Sequence, residues 1–277
     1  MHFPHRPLLL MHEAPGLADT LREAADDGSR VWPIADWDAL ERAMARLPPT
    51  AVVFVDPYAG SPAAPSPRLH ALLRDIRSAT VVAVLPVTSQ TVQHLEMLAR
   101  WGVADVVELG REDTVVALRR RLRLVQGRLV TRLLDRALPR TTPTRTRALL
   151  ATAADTVAVA GGSADLAQVL NVGERTVLRW CRRADLPQPR RLMAWLRILL
   201  ATDMLDDAGR TLGSVAHACG YSSDTALRNA LRTFLGAAPT ELRGRAFDTA
   251  AAAFSRELFE LREDAHTRGR PEKTWLQ

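Results

Sequence analysis

Apolar and polar positions alternate between two regimes along this chain. In the first 110 residues, short apolar runs of strand length are separated by helical stretches. Leu8-Leu9-Leu10-Met11, Val31 to Ile34, Ala51 to Val55, Thr80 to Leu85 and Val103 to Leu109 read as five strands. Ala18 to Asp26, Asp36 to Leu47, Arg68 to Ile76 and Gln90 to Trp101 read as the helices between them, the last capped by Thr88 or Ser89 and ended by Gly102. In the second helix Trp37, Leu40, Met44 and Leu47 recur at helical spacing before Pro48-Pro49 stops it. The runs at 52–55 and 81–85 are continuous rather than alternating, as strands covered on both faces require. Strands alternating with helices over such a length predict a doubly wound, five-stranded parallel sheet.

From Thr114 to Leu138 the pattern turns helical. Val115, Leu118, Leu122, Val125, Leu129 and Leu133 form one stripe, while Arg119, Arg120, Arg121, Arg123, Arg128 and Arg132 lie largely on the other positions. The stripe is expected to bury against the α/β domain at its start, or against a twin helix further on. Arg140 to Arg147, after Pro139, reads as a polar, basic linker.

Beyond Ala148 no strand run competes, and one arrangement occurs twice. Ala164 to Leu170, the turn Asn171-Val172-Gly173 and Glu174 to Arg183 form a first helical hairpin. Leu212 to Cys219, the turn Gly220-Tyr221-Ser222 and Ser223 to Phe234 form a second. Each has an alanine four places before the turn residue, Ala167 before Asn171 and Ala216 before Gly220, where a tight helix crossing needs a small side chain. Each turn residue is of a type that tolerates positive φ. Met together and twice, these requirements are the mark of helix-turn-helix geometry. A helix from about Pro189 to Leu205, with Leu192, Trp195, Leu196, Leu199 and Leu200 in one stripe, can join both units into a single body. Phe247 to Leu261 is a further amphipathic helix, and the chain is polar and frayed from Asp264 onward.

Charge sharpens this division. The chain has 277 residues, 25% charged and 47% apolar, with a formal charge of +6. Residues 1–127 carry net −1, residues 128–147 net +5, residues 148–247 net +3 and residues 248–277 net −1. The basic character therefore belongs to the connector and the second half, where it suits a polyanion. Two cysteines exclude a disulfide framework and fit a reducing compartment, so a cytoplasmic location is expected. Met1 to His12 lacks the form of a signal peptide, and no run approaches the roughly 18 apolar residues that span a bilayer. The seven histidines form no HExxH cluster, neither Cys181 nor Cys219 lies in a nucleophile motif, and no glycine-rich loop follows the first strand. No enzyme, metal site or cofactor is expected, and His217 is expected to be an exposed helix residue rather than a ligand.

The first half resembles the receiver domain of two-component response regulators, with Asp56 at the end of the third strand where the phospho-acceptor would sit. The resemblance implies two acidic residues after the first strand to hold Mg²⁺, a Thr or Ser after the fourth and a Lys after the fifth. Here those places hold His12-Glu13, Pro86 with Thr88 two residues late, and Leu109-Gly110 without a lysine. Phosphoryl transfer needs a metal and a cation to neutralise developing charge. The expectation is a pseudo-receiver with Asp56 as a vestigial acceptor, used for dimerisation or protein contact. A residual acceptor and an unrelated α/β domain stay open as alternatives.

In the second half Val215-Ala216, Gly220-Tyr221, Leu227, Ala230-Leu231, Phe234-Leu235-Gly236 and Pro239-Thr240-Glu241-Leu242-Arg243 resemble the AraC/XylS class of bacterial transcription regulators. The resemblance spans roughly 150–245 and implies a bipartite helix-turn-helix domain that binds DNA. The chain departs from that class at Ala226, Leu227, Leu231 and Asn229, and in the first unit at Gly173 and Cys181.

The helical wheel places Val177, Leu178 and Cys181 inward and leaves Arg175, Thr176, Arg179, Arg182 and Arg183 outward. Arg175 and Arg179 can reach guanine edges, and Arg182 and Arg183 suit phosphate. In the second unit Leu227, Ala230, Leu231 and Phe234 point inward, while Thr225, Arg228, Asn229 and Arg232 stay outside. Thr225 suits a thymine methyl, Arg228 guanine and Asn229 adenine, with Ser222 or Ser223 capping the helix. Asp224 at the same end repels phosphate. The expected division is residues 1–112 as the receiver-like domain, 113–147 as connector, 148–245 as the DNA-binding domain and 246–277 as a C-terminal helix and tail. The expected function is sequence-specific transcription regulation. Double-stranded DNA is the expected partner, together with a second copy in a homodimer and RNA polymerase or another regulatory protein, with no membrane contact. The competing reading is a protein–protein adaptor that has lost specific DNA binding.

Overall fold

The computed structural model describes residues 6–25 and 29–268. Five parallel strands, β1 (Arg6–Met11), β2 (Ser29–Pro33), β3 (Val52–Val55), β4 (Thr80–Leu85) and β5 (Asp105–Glu108), form one sheet in the order β2-β1-β3-β4-β5. This is the flavodoxin-like order, with its topological switch between β1 and β3. Each continuous apolar run splits by the two-residue strand period between two faces. Leu8, Leu10, Val52, Phe54, Val82 and Val84 meet α1 (Leu17–Ala24) and the first half of α5 (Val115–Ala137). Leu9, Met11, Val53, Val55, Val81 and Ala83 meet α2 (Trp37–Met44), α3 (Pro67–Asp75) and α4 (Leu95–Trp101) on the opposite face. The doubly wound sheet expected from the sequence is the one observed. Asp26, at the end of the first predicted helix, lies outside the described residues.

Two local expectations change. Thr88 and Ser89 do not cap α4, which follows a short 3₁₀ turn (Val92–His94) and has no side-chain cap. Thr88 instead caps the turn ahead of it, its Oγ1 accepting the Thr91 N–H at 3.3 Å while its own N–H donates to Thr91 Oγ1 at 2.8 Å. The linker is also shorter than its composition suggested, because α6 (Thr144–Ala158) begins inside it. Pro143 removes an amide that the first turn of a helix would leave unbonded, and Thr146 is buried rather than solvated.

The long helix α5 resolves the question of what its stripe covers. Leu118, Leu122 and Val125 belong to the sheet core, whereas Leu129, Leu133 and Leu134 belong to the core of the C-terminal helices. One helix of 23 residues, about 35 Å long, thus runs through both cores. The twin-helix option is corrected here. The far end of the stripe is covered by this chain's own helices, so it is not available to a second copy.

The remaining helices are α7 (Ser163–Val169), α8 (Glu174–Arg183), α9 (Pro189–Leu205), α10 (Leu212–Ala218), α11 (Asp224–Leu235), α12 (Pro239–Leu242) and α13 (Ala246–Arg268). The last continues past Asp264, where fraying was expected, and residues 269–277 lie outside the described part. From Leu192 onward no residue of α9 is exposed: Met193, Ile198, Ala201 and Met204 join the predicted stripe in the core, and the exposed residues Arg190 and Arg191 are confined to the first turn. A helix covered along most of its length needs neighbours all round, and α5, α6, α7, α8, α10, α11 and α13 supply them. Asp206, just after α9, accepts the N–H groups of Ala246 and Phe247 and so caps α13 from outside.

The corner between α9 and α10 docks onto the sheet domain. Asp207 accepts hydrogen bonds from the N–H and hydroxyl of Ser78 and from Arg210 Nε. Arg210 Nη1 donates to the Leu47 carbonyl at 2.9 Å, and Gly209 N–H donates to the Asp75 carbonyl at 3.0 Å. Asp207 and Arg210 are 3% and 2% exposed. Burial pushes the Asp207 carboxyl above its ordinary value, against the pull of Ser78 and Arg210. The approach at Gly209 is close: a Cβ there would lie 3.0 Å from Ile76 Cγ1, which would have to give by a few tenths of an ångström. Asp203 adds a second tie, accepting from both Arg132 and Arg136 of α5 at 2.8 Å.

Removing one member of a buried ion pair strands the other charge, which typically costs about 3–5 kcal/mol. Urea unfolding should therefore show Asp207→Ala destabilised by roughly that amount. The paired replacement Asp207→Leu with Arg210→Met should lose less than Asp207→Ala alone, because no buried charge is left over.

Candidate nucleic-acid interface

Both hairpins are closed by the same backbone device. In the first, Asn171 adopts φ 52°, its N–H donates to the Gln168 carbonyl, and Val172 N–H donates to the Ala167 carbonyl at 3.0 Å. In the second, Gly220 adopts φ 74°, its N–H donates to His217, and Tyr221 N–H donates to Ala216 at 2.8 Å. These are two Schellman motifs, which end a helix by satisfying its last carbonyls through a left-handed residue. Ala167 and Ala216, singled out for their size, also supply the carbonyls that close the motifs, and both are buried. Gly220 carries a second requirement, since a Cβ there would lie 3.1 Å from that of Ala160.

The second helices start differently. Ser223 caps α11, its hydroxyl accepting the Ala226 N–H at 3.1 Å. Gly173 precedes α8 and no side chain caps that end. Val177 and Cys181 of α8 are buried and Leu178 is half-buried; Leu227 and Leu231 of α11 are buried, with Ala230 and Phe234 half-buried. The predicted inward faces are the observed ones. Trp180 is half-buried and packs against the helical core.

The outward side chains fall where the helical period put them. Arg175, Arg179, Arg182 and Arg183 of α8 are exposed, Thr176 is half-buried, and Ser222, Ser223, Thr225, Arg228, Asn229 and Arg232 are exposed. Arg228 is not free: its Nη2 lies 3.3 Å from Asp224, one turn earlier. Among the described residues none of the four α8 arginines has an ion-pair partner, so the two surfaces differ in available charge. His217 is exposed. Burial pushes the Cys181 thiol up to about 11 and the Cys219 thiol up to about 12, which leaves both protonated and unreactive at neutral pH.

At the carboxyl ends of the strands, Asp56 follows β3 and is half-buried. One of its carboxylate oxygens accepts the Tyr58 N–H at 2.8 Å. His12 Nδ1 accepts the Ala14 N–H at 2.9 Å, and Glu13 is exposed. Tyr58 hydroxyl and His94 Nδ1 lie 2.9 Å apart, a pair that the sequence offers no pattern to find. Asp56 Oδ1 and His12 Nδ1 thus both accept hydrogen bonds from backbone amides. Among the described residues no three His, Cys, Asp or Glu side chains gather to hold a metal.

Residues 166–245 match a family model described as a helix-turn-helix domain. The C-terminal region carries an AraC-type helix-turn-helix domain. The match runs from within α7 to just past α12 and so takes in both hairpins and α9. α6 and α13 fall outside it. Domains of this type bind DNA and are non-catalytic. No curated protein and no solved structure matches the chain. Among the described residues no helix is long and apolar enough to cross a membrane.

An alanine in the left-handed region costs about 1–2 kcal/mol. Gly220→Ala should therefore lower the urea midpoint of unfolding, by more than this backbone cost if Ala160 cannot give way. Asn171→Gly, which relieves a non-glycine residue of the same conformation, should leave the midpoint unchanged or raise it.

Proposed function

We propose that the chain is a sequence-specific transcription regulator that reads double-stranded DNA with α8 and α11, and that its receiver-like domain serves dimerisation or protein contact without efficient phosphorylation. The observation that carries this reading is the pair of Schellman-closed hairpins packed on one buried helix, each with its polar second helix exposed. In this reading Arg175 and Arg179, near the start of α8, address base edges, and Arg182 and Arg183 hold phosphate. The uncapped start of α8 suits a phosphate oxygen as well. Thr225 and Asn229 carry the base contacts of α11, and Arg232 the charge.

For the receiver-like domain, the amide-bound Asp56 and the lack of a lysine after β5 argue against phosphoryl transfer. Pairing with a second copy would use a surface other than the α5 stripe. Val116 and Leu124, exposed on the outer face of that helix, offer one. RNA polymerase or another regulatory protein remains a proposed partner, and the cytoplasm the proposed compartment.

The adaptor reading draws on one observation, the Asp224–Arg228 ion pair. A carboxylate at the entry of α11 repels phosphate and occupies the arginine best placed for guanine.

Selection of bound duplexes from a random pool by the full chain separates the two. A regulator should enrich two boxes about one helical turn, ~34 Å, apart. Its affinity should fall steeply with added salt as phosphate contacts are lost. Arg175→Ala with Arg179→Ala should erase the preference in one box only, at about 1–3 kcal/mol per lost base contact. Asp224→Asn should tighten binding. Failure to enrich any motif, with a shallow salt response, would favour the adaptor.

A further inference from the structure

Between the receiver-like domain and the start of the second hairpin lies a cleft of about 750 Å³. This falls within the size range of small-molecule sites, roughly 300–1,000 Å³. One wall comes from the end of β2 and from α2, with Ile34, Ala39 and Ala43 as its apolar floor. The other comes from the docked corner and α10, through Gly209, Thr211 and Ser214. Arg42 on α2 and Arg46 in the turn just after it border the same space.

Neither guanidinium forms an ion pair among the described residues, although the Arg42 charge also acts on Asp38. The acids of α2 are spent elsewhere: Asp36 accepts the Ala39 N–H as helix cap, while Asp38 and Glu41 are both held by Arg68. Across the cleft, Thr211 Oγ1 accepts the Ser214 N–H at 3.1 Å, and Ser214 Oγ donates to the Thr211 carbonyl at 2.8 Å. The Thr211 hydroxyl proton is left over as a donor. An apolar floor, two exposed cations in forked guanidinium form and one hydroxyl donor make up a donor-rich site with no carboxylate among its lining residues.

We infer that this cleft binds a small apolar carboxylate, its hydrocarbon body against Ile34, Ala39 and Ala43 and its carboxylate on Arg42 and Arg46. Guanidinium forks match carboxylates in geometry as well as charge. Such a ligand touches both the receiver-like domain and the N-terminal cap of α10, so its binding stabilises the docked arrangement by mass action. The site is made by the docking of the two domains, and it stands whether or not α8 and α11 bind DNA.

Calorimetric titration of the full chain with 1-naphthoate, benzoate and octanoate tests this. At least one should bind saturably at one per chain and raise the unfolding midpoint. The neutral isostere 1-naphthalenemethanol should bind at least tenfold more weakly than 1-naphthoate. Arg42→Gln with Arg46→Gln, both exposed positions, should weaken carboxylate binding at least tenfold while leaving the unliganded midpoint unchanged. Arg74→Gln with Arg77→Gln, in the separate basic pocket beside His70 and Trp101, should leave binding intact. The inference is overturned if none of the three carboxylates binds, if binding ignores the Arg42 and Arg46 changes, or if the Arg74 and Arg77 changes abolish it.

Discussion

The arrangement of the C-terminal half depends on α9 being covered all round from Leu192 onward. A 17-residue helix covered along most of its length cannot be stable alone in water, because it would expose apolar surface on every side beyond its first turn. It must be wrapped, and what wraps it includes both helical hairpins. Trp195 shows how closely the wrapping is specified: its ring packs edge-on to Phe234 of α11 and against Phe254 of α13, and its Nε1 donates to Glu257 at 2.8 Å. Glu257 in turn takes Arg191 through two hydrogen bonds. The hairpins are therefore fixed to each other through a common core rather than strung on a flexible link, which is what simultaneous use of α8 and α11 on one ligand requires.

The same economy joins the two halves of the chain. α5 contributes leucines to both cores, and the α9–α10 corner plants a buried ion pair between the loops that precede β3 and β4. Those loops lie at the amino ends of the strands, whereas Asp56 lies at the carboxyl end of β3. The helical domain is thus docked at the end of the sheet opposite the crevice in which folds of this order place their ligands. α5 and the Asp207 corner are two covalent and buried-polar links through which the sheet domain can influence the hairpins.

Local features were legible in the sequence because their causes are local. Asn171 and Gly220 announced left-handed turns, Ala167 and Ala216 announced close crossings, and the strand runs split between the sheet faces by simple alternation. The outward arginines of α8 followed from the helical period alone. What could not be read depends on partners far along the chain. Asp207 and Arg210 sit in a polar stretch that resembles a solvated loop, and only the meeting with Ser78 and Leu47, more than a hundred residues away, makes them core residues. The stripe on α5 looked like a pairing surface because nothing in its spacing tells which chain covers it. Thr88 caps a turn ahead of α4 rather than α4 itself, because the 3₁₀ stretch Val92–His94 comes between them.

Nitroxide labels on cysteines introduced at Gln168 of the first hairpin and Thr233 of the second, both exposed and outside the DNA-facing set, report most directly on whether the hairpins form one body, since Cys181 and Cys219 are buried and protonated and so spared from labelling. Pulsed dipolar spectroscopy of the full chain should give a single narrow distance between the two hairpins, the same with and without bound duplex. A broad distance distribution in the free protein, narrowing only on binding, would contradict the claim that α9 holds both hairpins in place.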